Sequence, residues 1–323
     1  MTFGLLHQWL TDTGMTISKN TLRNWLKKGK TYLDELVCVL KSIALEKDSI
    51  VNCDETWCKV RKYDHYKKCY MWVLVNKAER LVIFFYEDGS RGRDVLTNFL
   101  GDAELKALMS DGYNAYVFIG DELKTHRYKD TDHQVCLAHV RAKFVKARME
   151  GGDKRADVFL GNINRLFRFE REYDREMITD GERTRRRQGL PTMEAMINLR
   201  ANLLQELKSE EEQKSCYMRE ALNYLHKFWN EAFTYIKDGR YPISNNLAER
   251  AVRPFTTKRK NSLHFGSDEG AEIAAVYHSI ISTVKLQGRS AWDYLGKFFT
   301  GIFNGCRDFL SLTPQNIDLA VCQ

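Results

Sequence analysis

Three acidic residues have the type and setting that metal-assisted chemistry requires. Asp54 lies in Cys53-Asp54-Glu55-Thr56, Asp111 closes Leu108-Met109-Ser110, and Glu249 lies in Asn245-Asn246-Leu247-Ala248-Glu249-Arg250. The first two stand at the edge or end of apolar, strand-like runs, and Gly112 lets the backbone turn closely away from an ion or a phosphate. Glu249 falls on a short helix opened by the cap-competent Ser244, Asn245 and Asn246 and expected to end before Pro254. Carboxylate oxygens facing a phosphate suit Mg²⁺ or Mn²⁺. Two such ions about 3.5–4 Å apart would activate an attacking oxygen and stabilise a leaving one. The set therefore points to a metal-dependent enzyme acting on phosphodiesters. Each acid also has an ordinary reading: Asp54 as a turn residue, Asp111-Gly112 as a simple turn, Glu249 as a salt-bridging helix residue. Glu55 is the nearest rival ligand, but strand alternation turns it away from Asp54.

Other residues could support this chemistry. Cys136 and His139 are two residues apart at a strand-to-helix junction, a spacing open to packing and hydrogen bonding, to phosphate support, or to half of a zinc site that no second cysteine pair completes. Arg141 is the phosphate candidate nearest that junction. Asn246, Arg250 and Arg253 flank Glu249, and both arginines can make charge-assisted hydrogen bonds to phosphate. Lys258, Arg259 and Lys260 form either a non-specific backbone contact or a solvated turn. Trp57, Tyr63 and Tyr66 could stack on displaced bases or pack within their hairpin, and Trp229, Phe233 and Tyr235 could form an aromatic wedge or a core.

The elements that must position these residues follow from periodicity. Phe3 to Leu10 reads as a helix, Thr13-Gly14 as a turn, and a second helix capped by Ser18 or Asn20 follows, serving either as part of a helix-turn-helix reader or as a connector. Val51 to Val60, Cys69 to Val75 and Leu81 to Tyr86 read as strands, Ser90 to Leu100 as a short helix, Leu105 to Asp111 as a fourth strand, and Gln134 to Ala138 as a fifth that enters a helix over His139 to Met149. Three successive strands and then strand–helix alternation predict an α/β fold with a mixed sheet covered by helices, in which the first and fourth strands can be neighbours. From about 150 to 240 the pattern is helical, with a polar break at Thr179 to Gly189; helical periodicity returns over Glu269 to Gln287 and Trp292 to Phe303, and past Asp308 a loose tail is expected. The corresponding division is 1–48 helical, 49–149 first part of the core, 150–240 helical insertion, 241–287 second part of the core, and 288–323 terminal helix and tail.

Charge points to the partner. The 323 residues carry 50 Lys and Arg against 43 Asp and Glu, a net charge of +7, so placement matters more than excess. Arg141 to Arg187 holds 14 basic and 9 acidic residues, and Arg250 to His264 holds five basic and none acidic. Such a track would bind an anionic polymer with marked salt dependence. Eight scattered cysteines, with no signal peptide and no membrane-spanning run, predict reduced thiols and a cytoplasmic protein, which a DNA partner would make nucleoid-associated.

In order along the chain, Asp54-Glu55-Thr56, Asp111-Gly112-Tyr113, Cys136-Leu137-Ala138-His139-Val140-Arg141-Ala142-Lys143-Phe144 and Asn245 to Pro254 resemble the DDE transposases of the insertion sequence 66 family, as do Arg259-Lys260-Asn261 and Phe265-Gly266-Ser267. The likeness runs from about residue 15 to 300. It implies a ribonuclease-H-like catalytic domain with Asp54, Asp111 and Glu249 as the metal-binding triad, two Mg²⁺ or Mn²⁺ ions in the active complex, and the helical block as the family's insertion before the last catalytic acid. It also implies hydrolytic nicking at transposon ends in double-stranded DNA, attack of the freed 3′-hydroxyl on target DNA, assembly as a homodimer on DNA, and accessory proteins encoded by the same element. Family members carry a further N-terminal recognition and zinc-binding region, so this chain is expected to be a split, truncated or decayed copy.

Overall fold

The computed structural model describes residues 3–209 and 214–317, and the side chains of residues 3 and 258–262 lie outside that description. Two units emerge: Met1–Glu46, Cys53–Ala103 and Ala248–Gln323 form the first, Lys47–Asn52 and Glu104–Leu247 the second. Five strands, β1 (Ile50–Arg61), β2 (Tyr66–Asn76), β3 (Leu81–Glu87), β4 (Ala107–Ser110) and β5 (Asp132–Val135), form one mixed sheet in the order β3-β2-β1-β4-β5. β2 and β3 pair antiparallel, while β1 pairs parallel with β4, and β4 with β5. The adjacency of the first and fourth strands is as expected. β5 begins two residues earlier than its periodicity suggested.

In the first unit, α1 (Phe3–Asp12) precedes the long α2 (Lys19–Ala44). Ser18 starts α2 by accepting the Thr21 N–H at 3.0 Å, and Leu22, Leu33, Leu36 and Leu40 form its buried stripe. Its last turn is closed by Asn76, whose Nδ2 donates to the Ala44 carbonyl at 3.0 Å. The run Trp72–Val75 of β2 is fully buried, as a strand covered on both faces requires. After α3 (Arg93–Leu100) the chain leaves this unit.

The second unit is built on α4 (Leu137–Met149), α5 (Ala156–Glu176), α6 (Asp180–Arg187), α7 (Leu190–Lys208), α8 (Cys216–Lys227) and α9 (Trp229–Phe233). Phe144 stacks on Phe159 at 4.5 Å between ring centres, and Ile163, Leu199 and Leu225 complete the same core. Phe233 and Tyr235 are buried there and Trp229 packs against it, so these aromatics serve as core rather than wedge. The expected polar break at Thr179 to Gly189 is instead α6. Thr179 caps it, Glu182 pairs with Arg185 and Arg186 along its surface, and Arg187 turns inward. All five N–H donors of Arg187 are used: two on the Glu170 carboxylate at 2.7 and 2.8 Å, the others on the carbonyls of Tyr235, Asp238 and Tyr241.

The chain returns to the first unit through α10 (Asn246–Ser262), followed by α11 (Asp268–Leu286) and α12 (Ala291–Phe303). α11 covers the open edge of β3 with two hydroxyls. The Val82 N–H donates to Thr283 Oγ1 at 3.0 Å and the Phe84 N–H to Ser279 Oγ at 2.8 Å; the Thr283 hydroxyl donates back to the Val82 carbonyl at 3.1 Å, while the Ser279 hydroxyl has the Ala275 carbonyl at 2.9 Å and the Phe84 carbonyl at 3.4 Å as acceptors. The segment past Asp308 is not a loose tail as far as residue 317. Leu312 and Thr313 are buried, and Tyr294 donates to the Leu312 carbonyl at 2.7 Å. No helix among the described residues is long and apolar enough to cross a membrane.

Candidate catalytic carboxylates and their supports

In the first unit, β1 separates Asp54 from Glu55 by alternation. Asp54 is half-buried, and its Oδ1 accepts the Glu55 N–H at 2.9 Å. The Glu55 carboxylate is buried and receives the Arg91 guanidinium at 2.5 and 2.6 Å. A buried carboxylate needs such a partner to stay ionised. Glu55 is thereby tied to structure, whereas Asp54, on the opposite face of β1, is half-buried.

Asp111 directly follows β4, whose four residues are all buried. Its Oδ1 accepts the Tyr113 N–H at 2.9 Å, an Asx turn that fixes the carboxylate's direction. Gly112 has φ +78, and a Cβ there would lie 2.8 Å from the Tyr224 hydroxyl and 3.2 Å from Phe228. The position thus requires glycine twice over, for its backbone angle and for the close approach of α8. Tyr224 donates to the Asp111 carbonyl. Burial, and then the charge of Asp111, push the Tyr224 phenol well above its ordinary range, so it remains a donor. Beneath the turn, Ser110 Oγ and His133 Nε2 lie 3.0 Å apart, and burial lowers the His133 imidazole to about 4.

The start of α10 is fixed within the second unit. Asn245 is fully buried, its Oδ1 accepts Asn52 Nδ2 at 2.9 Å, and its N–H donates to Cys136 Sγ at 3.0 Å. Cys136 is itself buried and immediately precedes α4, so its thiol acts as a structural acceptor. His139 is half-buried in the first turn of α4. Glu249 is half-buried in the first turn of α10, while Asn246, Arg250 and Arg253 are exposed. The helix does not stop before Pro254. It continues to Ser262, with Val252 and Phe255 buried on either side of the proline, and this packing offsets the lost backbone hydrogen bond. The side chains of Lys258, Arg259 and Lys260 lie outside the described residues. Arg141 is exposed and donates to Asn164 Oδ1 at 2.6 Å. The Asn52–Asn245 pair was missed from sequence, although an asparagine within the apolar Ile50-Val51-Asn52-Cys53 run was its signal.

The donor chemistry of Asp54, Asp111 and Glu249 is all carboxylate oxygen, which fits a hard divalent cation. A different group in the first unit, Cys69, Asp88 and Asp268, brings ligand atoms within 4.8 Å of one another. There the Lys62 ammonium holds Asp88 at 2.9 Å and Asp268 at 2.6 Å. Principally through Asp268 and Lys62 respectively, Lys62 is raised to about 12 and Asp88 lowered to about 2. That cluster is an ion-pair knot already filled by a cation.

The class defined to this point is an α/β protein with oxygen donors at the margins of buried strands. Residues 2–273 match the family described as Transposase IS66 family, and the chain belongs to it. Two relatives from Sinorhizobium fredii (strain NBRC 101917 / NGR234) are similar. The uncharacterized protein y4jD is 26% identical over 310 residues, covering 90% of this chain and 57% of that protein. The uncharacterized protein y4qI is 27% identical over 239 residues, covering 73% of this chain and 43% of that protein. The chain spans about half the length of the curated relatives it matches.

Proposed function

We propose that this chain is the catalytic portion of a DDE transposase, a ribonuclease-H-like domain that cuts DNA at element ends and joins the freed 3′-hydroxyl to target DNA. Membership in the family implies a role in transposition. The observation that carries the finer reading is one of register. Asn52 and Met109 form the last pair of the parallel β1–β4 ladder, and Asp54 and Asp111 each follow two residues later. The strand order β3-β2-β1-β4-β5 supports the ribonuclease-H-like assignment, with residues 150–240 as the helical insertion.

Asp54, Asp111 and Glu249 would hold the divalent ions, Mg²⁺ or Mn²⁺. When bound, such ions supply Lewis acidity to the phosphate and lower the pKa of an attacking water. The chain's own residues do the rest. The Asx turn and Gly112 orient Asp111, the Arg91 partner keeps Glu55 out of competition, and the buried Asn245 fixes the helix start from which Glu249 projects. The exposed Arg250 and Arg253 donate to DNA phosphates, with Asn246 and the basic run Lys258, Arg259 and Lys260 beside them. The partners are transposon ends and target DNA, held by two copies of the protein together with accessory proteins of the same element.

Incubation with labelled, pre-nicked element ends, target DNA and Mn²⁺ tests this, with joined product expected. Cut product alone would reduce the activity to that of a nuclease, and bound but unreacted DNA would leave a silent binder. Asp54→Asn, Asp111→Asn and Glu249→Gln should each bring cleavage below detection while the circular dichroism and DNA binding persist. Glu55→Gln should lose stability but keep cleavage. If Glu55→Gln loses cleavage and Asp54→Asn retains it, the ligand assignment is overturned.

A further inference from the structure

We infer that the outer face of the β1–β2 hairpin is a binding face for single-stranded DNA, with Lys59, Arg61 and Lys68 taking phosphates and Trp57 and Tyr66 taking bases. The inference rests on the proposed action on DNA and assigns part of that contact to a surface away from α10.

Alternation divides the hairpin into two faces. Cys58, Val60 and Cys69 are buried in one small core with Ala271 of α11. Trp57, Lys59 and Arg61, which alternate with them on β1, are exposed, as are Tyr66 and Lys68 on β2. The hairpin also reaches past its neighbour, because the β2–β3 register ends at Tyr70 opposite Glu87 and leaves residues 66–69 beyond it. On its other flank, Phe265 makes an isolated parallel bridge to Val60, its N–H donating to the Lys59 carbonyl at 2.8 Å and its carbonyl accepting the Arg61 N–H at 2.9 Å, so the arm is anchored on that side.

The two faces differ in how their charges are met. Lys62 and Lys67 are engaged by Asp88, and Lys62 also by Asp268. Lys59, Arg61 and Lys68 have no carboxylate within ion-pair distance among the described residues, and Lys68 instead lies over the Tyr70 ring at 5.7 Å. Trp57 keeps 37% and Tyr66 54% of its surface in water. The Tyr66 ring is braced edge-on by His264, with centroids 4.7 Å apart.

Partly exposed aromatic rings beside cations that no described carboxylate meets match the bases and phosphates of a nucleic acid strand. Lys59 and Arg61 lie about 6.6 Å apart along β1, two residues at the strand rise, and so can meet neighbouring phosphates of one strand. Bases unpaired from a duplex present a π-face that a paired base hides, and an exposed ring can stack on it without reading sequence.

The test is titration of the full chain with fluorescein-labelled single-stranded and duplex oligonucleotides of random sequence, by anisotropy, at several salt concentrations. In K59E/R61E/K68E the slope of log K against log salt for single strands should fall by about 2, that is about 0.7 for each of three phosphate contacts. Trp57→Ala should weaken single-strand binding by about tenfold while altering duplex binding less. Lys146→Glu with Arg148→Glu, on α4, serves as the matched control and should leave the slope unchanged. Wild-type slopes and affinities in K59E/R61E/K68E, with circular dichroism unaltered, would overturn the hairpin assignment while leaving DNA binding in place. Absence of DNA binding by the wild-type chain would overturn both this inference and the function proposed above. Equal losses for both strand forms in Trp57→Ala would overturn the single-strand preference.

Discussion

On the helices of the second unit, cations meet acids: Lys143 faces Glu220 at 2.5 Å, Arg148 faces Asp157 at 2.8 Å, Arg165 faces Glu194 at 2.8 Å, and Arg183 spans Glu170 and Asp174. On the β1–β2 hairpin, Lys59, Arg61 and Lys68 meet none among the described residues. By sequence the helical stretch from Arg141 to Arg187 carries the larger excess of cations, yet ten of its 14 Lys and Arg residues lie within ion-pair distance of a carboxylate. What decides whether a basic stretch can serve a polyanion is the distribution of carboxylates around it after folding, not the local count.

The sharpest break in the comparison lies at its buried extreme. Glu170→Ala strands the Arg187 guanidinium, which is 1% exposed, and should cost about 3–5 kcal/mol in urea unfolding. If the loss is below about 1 kcal/mol, the view that the helical block consumes its cations for stability fails at its strongest point. By contrast, Arg148→Ala removes a solvated pair and should cost no more than about 1 kcal/mol. Lys68→Ala on the hairpin should lie within about 0.5 kcal/mol of wild type, since no carboxylate among the described residues pairs with it.

A smaller effect concerns pH. Glu220, Asp153 and Glu182 are each held below the ordinary carboxylate range, first of all by hydrogen bonds from Lys143, Arg155 and Arg186 respectively. Because these folded-state values are depressed, the stabilisation is complete above the unfolded carboxylate values and is lost as pH falls through the folded ones. These three ion pairs therefore persist at mildly acidic pH. Carboxyl NMR titration should give each of these three acids a midpoint below the ordinary value for its residue type; ordinary midpoints would mean the pairs seen here do not hold in solution.

Much of the local structure was legible in the chain. Period-two burial gave the strands, the Ser18 cap gave α2, and alternation alone separated Asp54 from Glu55. What could not be read depended on partners distant in sequence. Lys143 and Glu220 are 77 positions apart, and the Asn52–Asn245 pair that seats α10 spans 193. The same cause explains the errors in the other direction. Thr179 to Gly189 looks like a break because it is so polar, but Glu170 and three carbonyls supply Arg187 with an interior, and Pro254 continues a helix because Val252 and Phe255 are buried around it.

The hydroxyls of Ser279 and Thr283 on the margin of β3 carry a consequence for biosynthesis. They stand in for a sixth strand, and they are encoded 195 and 201 positions after the residues they complete. While the ribosome is still making the second unit, β3 has already emerged with an unsatisfied rim able to recruit any other extended chain. Until α11 is made that rim stays open, and the speed of elongation across the helical block sets how long it does so.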